Sequence, residues 1–253
     1  MIPKIIHYCW LSDDEFPESI KDCIASWNKH LPDYELRLWD RNRFDVNSQL
    51  WTKQAYEAKK YAFAADYIRL YALYHEGGIY LDSDVVVYKS FNDLLHLPYF
   101  IGEDRTHCFE PAIIGCEAGM PWIGRVLERY KDRQFIKLDG SYDMHGLPLV
   151  FHDRLVGKYQ FQKTRGTAAY CGEDDVIRIF PHDYFNSRDY VGAIRTGNSY
   201  CSHNYLGSWL KKKNSVTDRM KPFVPRLVLN AFYACYYWMH GGDLAAKQIP
   251  YSK

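Results

Sequence analysis

Apolar and polar positions along the chain fall into strand and helix periods from the first residues. "KIIHYCW" is apolar enough to predict a strand buried on both faces. In "PESIKDCIASWNKH", Ile20, Cys23, Ile24 and Trp27 recur on one helical face, and Pro17 suits a helix start. After a turn at "LPDY", the stretch "YELRLW" alternates, with Tyr34, Leu36 and Leu38 on one side. Strand, helix and strand in quick succession predict a βαβ unit, hence parallel strands with a right-handed crossover.

From about Gln49 to Glu76 the chain is rich in Ala, Lys, Tyr and Leu, without Gly or Pro, and predicts one or two helices. Gly77-Gly78 ends them, because glycine takes the left-handed conformation that closes a helix. A strand from Ile79 to Val87 follows. "FIGED" and "PAIIGC" predict two more, and "MPWIGRVLERYKDR" a helix opened by Pro121. Residues 139 to 198 carry mixed signals. The last part, from about residue 211, differs in composition and reads as a helical tail. The prediction is therefore an α/β domain over 1–210, with a mixed sheet flanked by helices, and a basic, aromatic tail over 211–253.

Composition narrows the function. Of 253 residues, 47% are hydrophobic and 25% charged, which suits a soluble globular domain. Net charge is +1, so no global field calls for nucleic acid. The seven cysteines are odd in number and form no C-x-x-C pair, which argues for reduced thiols in a cytoplasmic chain. The N-terminus turns acidic too early for a signal peptide. In the tail, six basic residues and one acid lie between Tyr205 and Arg226. The apolar run after them, Leu227 to Met239, is shorter than the about 20 residues that a membrane span needs. Such a tail either docks on the anionic inner face of a membrane or packs on the core.

The candidate chemistry centres on "HEGGIYLDSDVVVYKS". In an extended strand Tyr80, Asp82 and Asp84 share one face. Two carboxylates so placed repel, and burying either unpaired is costly. A hard divalent cation, Mn²⁺ or Mg²⁺, removes both problems. Ligands of open α/β sheets also bind beyond the carboxyl ends of strands. Upstream, Asp66 and Arg69 are helical neighbours within an apolar stretch, where a charged pair serves a site more readily than a surface.

"AADYIRLYALYHEGGIYLDSDV" resembles the signature of glycosyltransferase family 32, whose sugar-binding region contains a D-x-D motif. "IPKIIHYCW" and "HNYLGSW" are similar to that family's flanking motifs, so the resemblance covers Ile2 to Trp209. It implies a GT-A-like, Rossmann-type fold and a retaining transferase taking a nucleotide sugar, UDP-linked first and GDP-mannose second. The acceptor would be a saccharide or lipid-linked saccharide of surface polysaccharide synthesis. It further implies that Asp84 ligates the metal, and that Asp82 touches the ribose or sugar and reaches the metal directly or through water. Asp66 and Arg69 would hold donor-sugar hydroxyls, Arg69 also nearing the diphosphate, and Tyr80 would line the pocket. Trp10 would stack by the base with His7 close by. His203 would be a further metal or diphosphate ligand, and Ser208 and Trp209 would close over the phosphates.

Two rivals share these residues. "IYLDSDVVV" also reads as a haloacid-dehalogenase-type phosphatase motif with Asp82 as nucleophile and Glu173, Asp174 and Asp175 as further acids. A non-catalytic sugar-nucleotide-binding module is the other.

Overall fold

A computed structural model describes residues 1–164, 166, 175–188, 192–206, 225, 228 and 247–252. The expected βαβ unit opens it: β1 (Ile5–Cys9), α1 (Glu18–His30) and β2 (Glu35–Trp39), with β1 and β2 parallel and in register from Ile5↔Glu35 to Cys9↔Trp39. Ile20, Cys23 and Trp27 form the buried stripe of α1. The Trp27 indole also donates to Val85 O at 2.7 Å, pinning α1 to the segment after the D-x-D motif.

The long helical region divides into α2 (Leu50–Glu57) and α3 (Tyr61–Glu76). The break lies at Lys59, which turns to φ 55°. Gly77 and Gly78 then reverse the chain into β3 (Gly78–Leu81) at φ 65° and 99°. No other residue fits. A Cβ at Gly77 would stand 2.7 Å from Ala118 N, and one at Gly78 would stand 2.9 Å from Ile5 O.

β3 lies parallel to β1 and antiparallel to β6 (Phe109–Cys116), which pairs with β5 (Tyr99–Glu103). The five-stranded mixed sheet runs β2-β1-β3-β6-β5. One register shift matters for the site. Ile101 pairs with Ile114, but the next residue, Gly102, pairs with Glu110, so Pro111–Ile113 form a bulge.

The extended strand expected over Ile79 to Val87 is not one strand. β3 stops at Leu81, a turn closed by Val85 N→Asp82 O (3.0 Å) follows, and β4 (Val85–Val87) leaves for a second, two-stranded sheet with β9 (Cys201–His203). Asp82 and Asp84 therefore sit in a turn, and strand parity does not relate them. The β-branched run at Val85–Val87 extends well as a strand, but its ladder partner is β9.

Beyond the sheet come α4 (Pro121–Leu127), α5 (Leu147–Leu155), the parallel pair β7 (Gln160–Lys163) and β8 (Val176–Ile179), and the short α6 (His182–Phe185). Helix α3 packs on β1 and β3 and carries α4 on its outer side, while α6 packs on β5 and β9. The core is aromatic, with Trp27, Trp51, Tyr130, Phe100, Phe109 and Phe151 fully buried.

Residues 247–252 return to this body. Ile249 N donates to His107 O, and the buried Ile249 side chain joins the core. The rest of the expected tail lies almost wholly outside the described residues. Among the described residues no helix is long and apolar enough to cross a membrane, and five cysteines are free and buried.

Candidate active site

The site forms where the β3–β4 turn meets β9 and the bulge of β6. Helix α3 brings Asp66 and Arg69. Arg69 is 5% exposed, and its guanidinium lies 4.4 Å over the ring of Tyr80. Its Nη2 donates to Asp82 Oδ1 at 2.8 Å and lies 3.4 Å from Asp66 Oδ1, while its Nη1 donates to Pro111 O at 2.6 Å. The bulge thus supplies one carbonyl to Arg69. It supplies a second, Ala112 O, to the backbone N–H of Asp82.

The other wall comes from β9. Pairing Val85 with His203 sets the imidazole beside the turn. His203 Nε2 lies 3.2 Å from Asp84 Oδ1 and 3.9 Å from Asp82 Oδ2. Asp84 Oδ2 accepts from Leu206 N at 2.8 Å. Each aspartate therefore has one oxygen anchored, Asp82 by Arg69 and Asp84 by Leu206. Its other oxygen faces one shared point with His203 Nε2, and the three donor atoms lie within 4.8 Å of one another.

Charge follows this geometry. Burial pushes the Asp66 carboxyl up to about 7, against the pull of Arg69. Burial also raises Asp82, with Arg69 and His203 opposing. For Asp84 burial acts upward too, but hydrogen bonds from His203 and Leu206 N outweigh it, and the carboxyl ends below its usual range. Burial would lower His203, yet Glu110 and Asp84 outweigh burial and lift it to about 10. The imidazole is thus itself a cation between carboxylates. Two carboxylate oxygens and an imidazole nitrogen aimed at one point fit a divalent metal such as Mn²⁺, which would take the place of that charge.

The structure brings together Asp66, Arg69, Tyr80, Asp82, Asp84 and His203, but two of them serve differently from expectation. Tyr80 is 1% exposed and lines no open pocket; it is the floor under Arg69. Arg69 is covered too, and holds the carboxylates of Asp66 and Asp82. His7 is fully buried: its Nε2–H donates to Gly77 O at 2.7 Å and its Nδ1 accepts from Trp39 Nε1 at 2.9 Å. Both nitrogens are used, and burial lowers its pKa, so His7 braces the glycine turn. Trp10 stays half-exposed at the end of β1, packed on Phe16 and bonded through its indole N–H to Asp14 O. Ser208 and Trp209 lie outside the described residues.

Three residues escaped the sequence reading. Glu110, 3% exposed, faces His203 from the bulge. Tyr205 stacks on the His203 ring at 4.0 Å. Arg188 donates to His203 O and lies over the Tyr205 ring. Pro111, a proline inside an apolar strand, was the available signal for the bulge that places Glu110.

Comparison with known proteins decides the class. Residues 17–101 match the family model described as "Glycosyltransferase sugar-binding region containing DXD motif". This stretch carries the sugar-binding region of the DXD glycosyltransferases. It is 36% identical over 215 residues to inositol phosphoceramide mannosyltransferase 2 of Schizosaccharomyces pombe, covering 81% of this chain and 59% of that protein. It is 34% identical over 130 residues to that organism's inositol phosphoceramide mannosyltransferase 3, covering 50% and 36%. The chain thus spans less than two thirds of these relatives' length. The solved PaToxG glycosyltransferase overlays with a TM-score of 0.44 and 23% identity over 62% of this chain and 68% of that one. The match to a glycosyltransferase region runs against the phosphatase reading of Asp82, whose Oδ1 is in any case held by Arg69.

Proposed function

We propose that this glycosyltransferase moves a hexose from a nucleotide sugar to a hydroxyl of a glycan or glycolipid, with a divalent cation held by Asp82, Asp84 and His203. The convergence of these three side chains from a turn and a distant strand carries the reading. Mannose is the sugar in the relatives' names, so GDP-mannose stands first as donor and UDP-hexoses second. A lipid-linked or surface-polysaccharide acceptor, met by a cytoplasmic enzyme at the inner face of the membrane, fits the basic-aromatic tail.

In this reading the leaving nucleoside diphosphate gains charge as the sugar–oxygen bond breaks. A cation bound at this point supplies neutralisation of that charge. The chain's own residues prepare the place. Arg69 is permanently charged and keeps Asp82 aimed. Asp84 is held ionised at the pH of the reaction. The side chain of Asp66, 13% exposed against 6% for that of Arg69, has the more access to a donor sugar. The acceptor hydroxyl attacks the anomeric carbon on the face the diphosphate leaves, retaining configuration.

The test is a panel of nucleotide sugars scored for Mn²⁺-dependent release of GDP or UDP. Release from GDP-mannose that stops in EDTA is expected. Equal release in EDTA would sink the metal role, and release from a UDP-hexose alone would reverse the donor order.

A further inference from the structure

Glu110 is a buried carboxylate whose ion-pair partner, among the described residues, is His203. Its Oε2 accepts from the Tyr205 hydroxyl and from Asn186 Nδ2. Its Oε1 lies 3.4 Å from His203 Nδ1 and accepts from Ala112 N at 3.3 Å. The imidazole therefore faces Glu110 with Nδ1, buried at ion-pair distance and without another hydrogen-bond partner, and the two aspartates with Nε2. Tyr205 completes the hold. Its ring covers the imidazole at an interplanar angle of 31°, and its hydroxyl is tied to the same Glu110.

We propose, building on the metal reading above, that Glu110 is the positioning residue of the cation site. A carboxylate beside one imidazole nitrogen keeps the proton on that nitrogen and leaves the lone pair on the other. Here Glu110 keeps the proton on Nδ1 and turns the Nε2 lone pair to the point that Asp82 and Asp84 share. Through Tyr205 it also fixes the ring plane. The β6 bulge makes this possible, because it turns Glu110 inward while its carbonyls hold Arg69 and the Asp82 backbone. One irregularity thus organises both walls of the site.

A glutamine at 110 keeps the size and one acceptor oxygen but has no charge to hold the proton on Nδ1. Mn²⁺ titrated calorimetrically into the full chain tests this. Glu110→Gln is expected to weaken Mn²⁺ binding about 10–100-fold, with a melting temperature in EDTA close to wild type. The ¹⁴N modulation of bound Mn²⁺ in pulsed EPR, present in wild type and absent in His203→Ala, is expected to fall in Glu110→Gln. Should Glu110→Gln fail to fold, Glu110→Asp keeps the charge at a longer reach and is expected to give an intermediate loss. A folded Glu110→Gln with wild-type affinity and undiminished modulation overturns the inference alone. A wild-type protein that binds no Mn²⁺ overturns the metal reading beneath it.

Discussion

The Arg69 wall and the His203 wall of the site hold similar carboxylates by different means. On the Arg69 wall, Asp66 and Asp82 share a guanidinium that is nearly covered and cannot lose its charge. On the His203 wall, Asp84 and Glu110 share an imidazole whose charge is one removable proton. The first is a fixed scaffold, and the second is exchangeable, so a divalent cation can take over its charge.

The largest effect tests the scaffold. Arg69→Leu leaves Asp66 and Asp82 buried without their counter-charge, and is expected to cost about 3–5 kcal/mol in urea unfolding. Saturating Mn²⁺ should leave that deficit against wild type in place, because the cation stabilises both proteins. By contrast, His203→Asn removes the imidazole ligand and should gain less from Mn²⁺ than wild type, for which about 2–3 kcal/mol is expected at a hundredfold excess over Kd. Equal Mn²⁺ gains in His203→Asn and wild type would erase the distinction between the walls.

Next is Asp66. Its carboxyl titrates near 7 in the fold against 3.8 for the ordinary group, because burial penalises the charge. Ionising it costs the folded state more than the unfolded, so its contribution to stability falls as pH rises between those values. The melting temperature of Asp66→Asn relative to wild type should therefore move in the variant's favour by about 3–6 °C between pH 5 and pH 8. A flat difference would mean that Asp66 is not buried as described. The smallest effect concerns Trp10, outside both walls. Trp10→Ala should weaken nucleotide-sugar binding by about 1–3 kcal/mol if a base stacks there, measured by calorimetry, with the melt nearly unchanged. An unfolded variant would make Trp10 a core residue.

Much of the first wall was legible in the chain. The βαβ unit, the glycine turn and the i,i+3 pair Asp66–Arg69 all rest on local periods and local sterics. The second wall was not, for physical reasons. The turn at Asp82–Asp84 separates two apolar runs that each suit a strand, and the pairing of Val85–Val87 with Cys201–His203 puts the second in another sheet. Glu110 gave no periodic signal, because a bulge took it out of register. His7 and Tyr80 were drawn toward the ligand by their position in motifs. Burial instead made one a brace and the other a floor.

The measurement that bears most directly on the account is Mn²⁺ affinity in two aspartate variants compared side by side. Asp84→Asn removes an oxygen donor from the exchangeable wall, while Asp66→Asn changes only the scaffold. The account predicts that Asp84→Asn abolishes calorimetric Mn²⁺ binding with little change in the melt, and that Asp66→Asn binds within about threefold of wild type. Undiminished Mn²⁺ binding by a folded Asp84→Asn would contradict it.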